Sequence, residues 1–484
     1  MRDTIVEIIK EYAMSQPDKL CMVDARRELT YGQTWKEVAG VASYLEDAGV
    51  IEGQKIIVEC TQDTRFAVLG LAIQLLGAVF VPLEKGASLE RIEDIAEETS
   101  ASHYFYKKEL NVSAIKLEYP EEPVAKEKEW DFPQADQIAE ILFSTGTTGK
   151  SKGIVLTHAN NIAVAQNVVC GVEMKKDNVE LIPMPLSHSH GLRRYYANML
   201  HGTTVLFMSG VTFVKKVFDN IEKYHVTAID LAPSALDIIL KLSGDKLNDY
   251  ADQLDYIQLG SAPLKEDSKL KLCELLPKTR LYNFYGSTEA GCSCILDFNK
   301  ENKPGCIGKP TVNSHFIVVD EDKHEIQSDV EHTGFLACKG GMNMLGYYNQ
   351  PELTDSVMKN GYIYSNDVGY IDAEGYVYML GRDDDVINCA GIKISPEEIE
   401  EVALRMPLIT DCACVPIPDA MSGQMPKLYV VTKGTEEAEL IEIKQWLLEN
   451  LDKNKIPKEV ERIDEIPRTY NGKILRKQLR NMNL

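Results

Sequence analysis

Through roughly the first 300 residues, short apolar runs of strand length alternate with longer segments whose apolar residues recur at helical spacing. Runs at 55–59, 78–82, 204–208 and 227–231 read as strands. Their near-continuous apolar character marks strands covered on both faces, so mainly parallel sheets layered with helices are expected. Ile5, Ile8, Ile9 and Tyr12 fall at helical spacing and predict a surface helix within a charged N-terminal stretch. Residues 66–83 are apolar apart from Gln74, long enough that a membrane span must be weighed. Gly77 interrupts the run, and Val79-Phe80-Val81-Pro82 reads as a short buried strand. A buried helix followed by a strand is therefore expected.

From about Gly305 to Gly381 the texture changes. Helical periodicity fades, and short strands at 314–320 and 376–380 are separated by Gly, Asp and Asn turns, which predicts a small β-rich subdomain. The charge run Arg382-Asp383-Asp384-Asp385 then sits between two structured segments. Beyond it a helix at 396–404, strands at 411–416 and 427–432 and a helix at 440–450 predict a separate α+β domain on a short hinge. The expected organisation is an α/β N-terminal domain at 1–383, with its β-rich part at about 305–381, and a smaller C-terminal domain at 384–484.

Composition narrows the function classes. The chain holds 484 residues, more than one core usually organises. Its 52 Lys and Arg stand against 74 Asp and Glu, a net charge of −22, and no basic run offsets it. Such a chain repels a nucleic-acid backbone, although a site for a small anion can still be locally positive. The 11 cysteines follow no framework spacing: Cys292 and Cys294, like Cys412 and Cys414, are one residue apart, which is not zinc-site spacing. They read as reduced thiols of a cytoplasmic protein. Residues 1–19 lack the apolar core of a signal peptide.

The most informative stretch is Ile141-Leu142-Phe143-Ser144-Thr145-Gly146-Thr147-Thr148-Gly149-Lys150-Ser151-Lys152-Gly153. An apolar strand runs straight into a loop crowded with glycines, hydroxyls and lysines. Glycines let backbone N–H groups approach phosphates, hydroxyls add donors and lysines add charge. The ending Gly149-Lys150-Ser151 is Walker-like, but that motif needs Gly at the position of Ser144, so a P-loop NTPase is excluded.

This loop closely resembles the Ser/Thr-Gly-Thr-Thr-Gly-x-Pro-Lys-Gly signature of the adenylate-forming superfamily, which includes acyl-CoA synthetases, peptide-synthetase adenylation domains and beetle luciferases. Ser151 replaces the usual proline. Four further segments match in the same order. Gly260-Ser261-Ala262-Pro263 resembles the adenine-packing turn, and Asn283-Phe284-Tyr285-Gly286-Ser287-Thr288-Glu289 the Tyr-Gly-x-Thr-Glu segment. Gly381-Arg382 with Gly391-Ile392-Lys393-Ile394 resembles the hinge and the loop after it. Ile466-Pro467-Arg468-Thr469 with Gly472-Lys473-Ile474-Leu475-Arg476 resembles the C-terminal lysine motif.

The resemblance implies an acid–thiol ligase using ATP, Mg²⁺ and CoA: a large N-terminal domain with a small β-barrel subdomain, and a mobile C-terminal domain turning at Asp384. Joining two anions requires charge neutralisation and in-line alignment. By resemblance Lys473 bridges the acid and the α-phosphate, Thr288 donates to that phosphate, and Glu289 contacts Mg²⁺, a hard cation that takes oxygen ligands. Ser144 to Lys150 and Lys152 hold the phosphates, and Ser261, Ala262, Pro263, Asn283, Phe284, Tyr285, Gly286 and Ser287 surround the nucleotide. Asp367 accepts the ribose hydroxyls, with Asn366 where the family usually has Gly. Arg382 adds a donor, Lys393 reaches the pyrophosphate as a point charge, and Gly391 lies on the thiol side. Asn388 stands where Lys is frequent and has no assigned role.

Pro185-Leu186-Ser187-His188-Ser189-His190-Gly191 resembles the acid-pocket entrance, with His188 gating or orienting the carboxylate, and Ser189, His190 and Gly260 beside it. No Asp lies between Met184 and Tyr196 to bind an α-ammonium group, so a plain carboxylic acid is expected over an amino acid. Arg193 and Arg194 follow on a predicted helix, where neighbours project about 100° apart. At most one is expected to face the pocket, meeting a protein carboxylate, a second polar or anionic group of the acid or a phosphate of CoA, and the other to lie on a solvated or interdomain face. Three other readings compete: transfer to a carrier-protein phosphopantetheine, a luciferase-like oxygenase, and a degenerate nucleotide-binding protein. Lys473, Glu289 and Thr288 together argue against the last.

Overall fold

The computed structural model describes residues 3–482 except 145–151, 263, 302, 390–391, 420–421, 435–436, 454 and 469–473, and the side chains of 144, 437 and 438. The apolar stretch at 66–83 folds as helix Thr64–Leu75 and strand Val79–Leu83. Asp63 caps the helix by accepting from the Phe66 N–H, and every helical residue except Arg65 is buried. At about 1.5 Å per residue this helix is far short of the roughly 30 Å of a bilayer core. No helix among the described residues is long and apolar enough to cross a membrane.

Two sheets organise the N-terminal part. In a seven-stranded sheet, Ile138–Ser144, Val79–Leu83, Lys55–Glu59, His103–Phe105 and Ile115–Lys116 run parallel, and Lys152–Thr157 and Gly346–Tyr347 add an antiparallel edge. The larger sheet has a parallel centre in the order Leu20–Val23, Thr204–Phe207, Val179–Ile182, Ala228–Leu231, Tyr256–Gly260 and Arg280–Ser287. Every residue of Ala228–Leu231 and Tyr256–Gly260 is buried, as near-continuous apolar strands between helices should be. Helix Ser189–His201, which follows strand Val179–Ile182, buries all of 191–199.

The segment expected as a small β-barrel is an antiparallel set: Cys306–Pro310, Val377–Arg382, Tyr362–Ile371, Gly334–Gly340 and Ser314–Val319. It joins the larger sheet through the pairing of Cys306–Pro310 with Gly291–Asp297. After it, residues 382–385 form a turn in which Arg382 O accepts from Asp385 N at 2.8 Å, and Asp383 N donates to Asn366 O at 2.7 Å. Strands Ile392–Ile394, Ile387–Cys389, Gly423–Thr432, Ile409–Asp419 and Glu459–Arg462 then build a separate sheet. Helices Pro396–Leu404, Glu437–Asn450 and Arg476–Asn481 accompany it. Ile399, Cys412, Leu428, Ile443 and Leu447 belong to a core of its own.

Candidate active site

Parallel strands place their carboxyl ends, and the loops that follow, on one edge of a sheet. Strands Val179–Ile182, Tyr256–Gly260 and Arg280–Ser287 lead there into His188 to Gly191, Ser261-Ala262 and Thr288-Glu289. Gly260 ends Tyr256–Gly260 in register with Phe284 of Arg280–Ser287, and Ser261 follows with φ +72°. This left-handed torsion is uncommon for a residue with a side chain. A Cβ on Gly260 would lie 3.3 Å from Phe284 O and 3.4 Å from His190 Cε1, so a larger residue would crowd both neighbours. Gly191 is under stronger constraint: a Cβ would meet Pro185 O at 2.5 Å. Only glycine lets the first turn of Ser189–His201 press onto the loop before it.

His188, Ser189 and His190 start that helix and point to different partners. His188 is the N-cap and makes no side-chain cap bond. Burial lowers its imidazole below the ordinary range, and Arg91 and His190 act in the same direction. Ser189 Oγ and Thr288 Oγ1 are 3.1 Å apart, so the helix start meets the Thr-Glu segment directly. His190 is held at both ring nitrogens: Nδ1 lies 2.6 Å from Ser261 Oγ and Nε2 lies 2.8 Å from Asp230 Oδ1. Gln258 Nε2 donates to the same Asp230 oxygen at 3.0 Å.

The Tyr-Gly-x-Thr-Glu segment leaves its strand at Ser287 and turns through 288–290. Glu289 Oε1 accepts from Tyr347 OH at 3.0 Å, and Met344 N donates to Glu289 O at 2.7 Å. Lys152 Nζ sits 5.5 Å from the Tyr347 ring centroid. Tyr285 OH donates to Asp367 Oδ2. Burial, with the Asp367 charge beside it, raises the Tyr285 phenol well above its usual range. Asp367 pairs in register with Arg382, whose Nε is 4.0 Å from Asp367 Oδ1 while the side chain stays 61% exposed. Lys393 Nζ lies 3.8 Å from Asp383 Oδ1. Phe284 is buried, and Asn283 Oδ1 has no hydrogen-bond partner among the described residues. Ala262 follows Ser261 in the adenine turn, and Gly286 is exposed at the end of its strand. Thr145, Gly146, Thr147, Thr148, Gly149, Lys150, Ser151, Pro263, Gly391 and Lys473 lie outside the described residues, as does the side chain of Ser144.

The arginine pair corrects an expectation. Neither residue lies on a solvated or interdomain face: Arg193 is 5% exposed and Arg194 0%. Arg194 donates to Glu180 and Gln258 and, at 3.0 Å, to Tyr256 OH, and its Nε is 4.0 Å from Asp230 Oδ1. Its charge is thus matched by protein carboxylates. Arg193 donates to two main-chain oxygens, Ser287 O at 2.7 Å and Thr288 O at 2.6 Å. The helix is buried around its whole circumference, which is why neighbouring positions about 100° apart both find buried partners. The sequence reading missed Asp230, Glu180, Gln258 and Tyr347. The first three carry a signal in hindsight, each being a polar residue inside an otherwise apolar strand.

A hard cation that keeps its own waters and binds through one or two carboxylates plus phosphates suits Glu289, a carboxylate oxygen donor that follows Thr288 in the chain. The Glu289 carboxylate is already oriented by Tyr347, so the residues present fit Mg²⁺.

The family described as AMP-binding enzyme matches residues 9–348, and its C-terminal domain matches 398–473. A 2-succinylbenzoate–CoA ligase of Bacillus thuringiensis subsp. konkukian is 29% identical, covering 100% of this chain and 99% of the relative. The o-succinylbenzoate CoA synthetase (MenE) of Bacillus subtilis, solved with its acyl-adenylate intermediate, superposes with TM-score 0.85 at 25% identity, covering 98% and 97% of the two chains. ATP-bound MatB from Rhodopseudomonas palustris superposes with TM-score 0.88 at 24% identity, covering 100% and 99%.

Proposed function

Because the chain belongs to the AMP-binding enzyme family, we propose that it joins a carboxylic acid to AMP with loss of pyrophosphate and then passes the acyl group to CoA with loss of AMP. The observation that carries this reading is the meeting of four motif segments through three contacts: Ser189 on Thr288, His190 on Ser261, and Tyr285 on Asp367.

In the first half-reaction the acid carboxylate attacks the α-phosphorus of ATP and pyrophosphate leaves. Lys473 supplies positive charge between the two reacting anions, and Thr288 donates to the α-phosphate. Glu289 would hold Mg²⁺, which would supply charge neutralisation on the phosphates. Residues 144–150 and Lys152 hold the β- and γ-phosphates, with Lys393 adding charge as pyrophosphate departs. Tyr285 packs against the adenine and holds the Asp367 carboxylate for the ribose hydroxyls, where Arg382 adds a donor. His188, kept neutral by its burial, orients the acid without neutralising it. In the second half-reaction the CoA thiol adds to the acyl carbonyl and AMP leaves. We place the rotation that exchanges Lys473 for the thiol channel at Asp384, making 384–484 the mobile domain and Gly391 part of the thiol side.

The first acid to test is 2-succinylbenzoate, the acid in the names of the curated relatives and the Bacillus subtilis structure. A cytoplasmic site of action fits the eleven free thiols. The test is acid-dependent pyrophosphate release over a carboxylate panel, with thioester measured by mass with and without CoA. Release without any acyl-CoA product would refute the transfer to CoA and favour a carrier-protein acceptor.

A further inference from the structure

Successive carbonyls of an extended strand point to opposite sides. The carbonyls of Ser287 and Thr288 nevertheless both accept from one guanidinium, that of Arg193, because the chain leaves strand geometry between them. These are the last two main-chain carbonyls before Glu289. We infer that Arg193 is a positioning residue for adenylation, fixing the main chain from which the Thr288 hydroxyl and the Glu289 carboxylate project. The inference rests on the roles given above to those two residues.

Three features support it. Ser189 and Arg193 are four apart on one helix and so share a face. Ser189 meets the Thr288 hydroxyl while Arg193 holds the main chain beneath it. The planar fork of an arginine can hold two oxygens in fixed relation, which a lysine ammonium cannot. Finally, the same helix anchors to the strand that enters the phosphate loop: Tyr196 OH donates to Glu140 Oε2 at 2.7 Å, and Gln74 Nε2 donates to Tyr196 OH at 3.0 Å. Glu140 lies on Ile138–Ser144 and interacts electrostatically with Arg193. One buried helix face therefore sets the Thr-Glu turn relative to the strand that carries the phosphate-binding residues.

The test uses Arg193→Lys in the full chain, with Glu289→Gln as reference. Two rates are measured: Mg²⁺-dependent pyrophosphate release, and CoA transfer from a supplied acyl-adenylate. The expected result for Arg193→Lys is an adenylation rate lower by about 10- to 100-fold, the usual range for residues that orient a metal ligand. The Mg²⁺ concentration for half-maximal rate should rise, while acyl transfer stays close to wild type. Equal loss in both half-reactions, or unchanged Mg²⁺ dependence, overturns the inference. If Arg193→Lys does not fold, Arg193→Gln keeps one donor without a buried charge and is read in the same way. Failure of both to fold assigns Arg193 to stability alone and also overturns it. If Glu289→Gln leaves the Mg²⁺ dependence unchanged, the metal role of Glu289 fails and this inference falls with it. If Glu289→Gln shifts that dependence and Arg193→Lys does not, only the inference fails.

Discussion

Tyr285 donates its phenol to the Asp367 carboxylate, joining the last parallel strand of the large sheet to the antiparallel segment that follows it. The two residues are 82 apart in the chain. Their contact brings two separate motifs together, the one proposed above to pack the adenine and the other to accept the ribose hydroxyls.

This pairing makes the ribose reading testable. Hydrogen bonds to a charged group contribute about 1.5–3 kcal/mol, so Asp367→Asn should raise the KM for ATP by roughly 10- to 100-fold. The wild-type enzyme should discriminate against 2′-deoxy-ATP and the variant should discriminate much less. A variant with wild-type discrimination would show that Asp367 does not read the ribose.

Arg194 should matter to folding and not to acid choice. It sits with Glu180 and Asp230, all three at 0% side-chain exposure. Removing one partner of a buried ion pair leaves an uncompensated charge and costs about 3–5 kcal/mol. Arg194→Leu should lower the unfolding free energy measured by denaturant titration by that order while the folded fraction keeps its ranking of acids. A changed ranking with unchanged stability would return Arg194 to the acid pocket.

Glu140 gives a pH signature. Burial raises its carboxyl to about 7, against the lowering effects of the Tyr196 hydrogen bond, Arg193 and Asn161. The native state therefore holds this proton more tightly than the unfolded chain. Its contribution to stability is complete below the ordinary glutamate range and is lost as pH rises through about 7. Between pH 5.5 and 8 this amounts to about 2 kcal/mol. Glu140→Gln keeps a group for Tyr196 to donate to and cannot ionise, so its stability should fall less over that range by about this amount. Parallel stability curves for the two proteins would refute a raised Glu140.

Much of the scaffold was legible because burial writes itself into local pattern. The strand expected at 55–59 and the helix expected at 396–404 have the observed limits, and the long apolar run broke at Gly77, where φ is +66°. The partners of buried charges were not legible. Arg193 reaches oxygens 94 and 95 residues away, and Arg194 reaches Gln258 and Tyr256 more than 60 residues away. Helical spacing says which side of its own axis a residue occupies, and nothing about which strand end lies opposite. Amphipathic logic therefore puts one arginine on a solvated or interdomain face, although all of 191–199 is buried. Asp230 was passed over for a related reason: a single acid in a short apolar strand declares burial without naming His190 as its partner.

The role proposed for Lys473 separates the two half-reactions. A cation at the reacting oxygens is needed while two anions combine and is dispensable once the adenylate exists. Lys473→Ala should nearly abolish acid-dependent pyrophosphate release and leave CoA transfer from a supplied acyl-adenylate largely intact. Undiminished pyrophosphate release would remove Lys473 from the adenylation chemistry.

The hinge prediction concerns the turn that carries Asp384. Asp385 N closes onto Arg382 O, which makes Asp384 the third residue of a four-residue turn. Its carbonyl accepts from Arg480, and Arg480 Nη2 is 3.5 Å from Asp385 Oδ1. Arg480 belongs to helix Arg476–Asn481, which begins three residues after Lys473. Arg476 in turn pairs with Glu400 and, at 2.9 Å, with Glu397 of helix Pro396–Leu404. The segment that bears Lys473 is thus followed by a helix braced on the turn itself, so a change of torsion at Asp384 would carry helix and lysine motif together. Proline at 384 fixes its own φ and restricts Asp383 before it. Asp384→Pro should therefore slow CoA transfer at least about tenfold more than adenylation, a difference of roughly 1.4 kcal/mol in barrier, in a protein whose thermal unfolding is unchanged. Equal slowing of both half-reactions would place the pivot elsewhere.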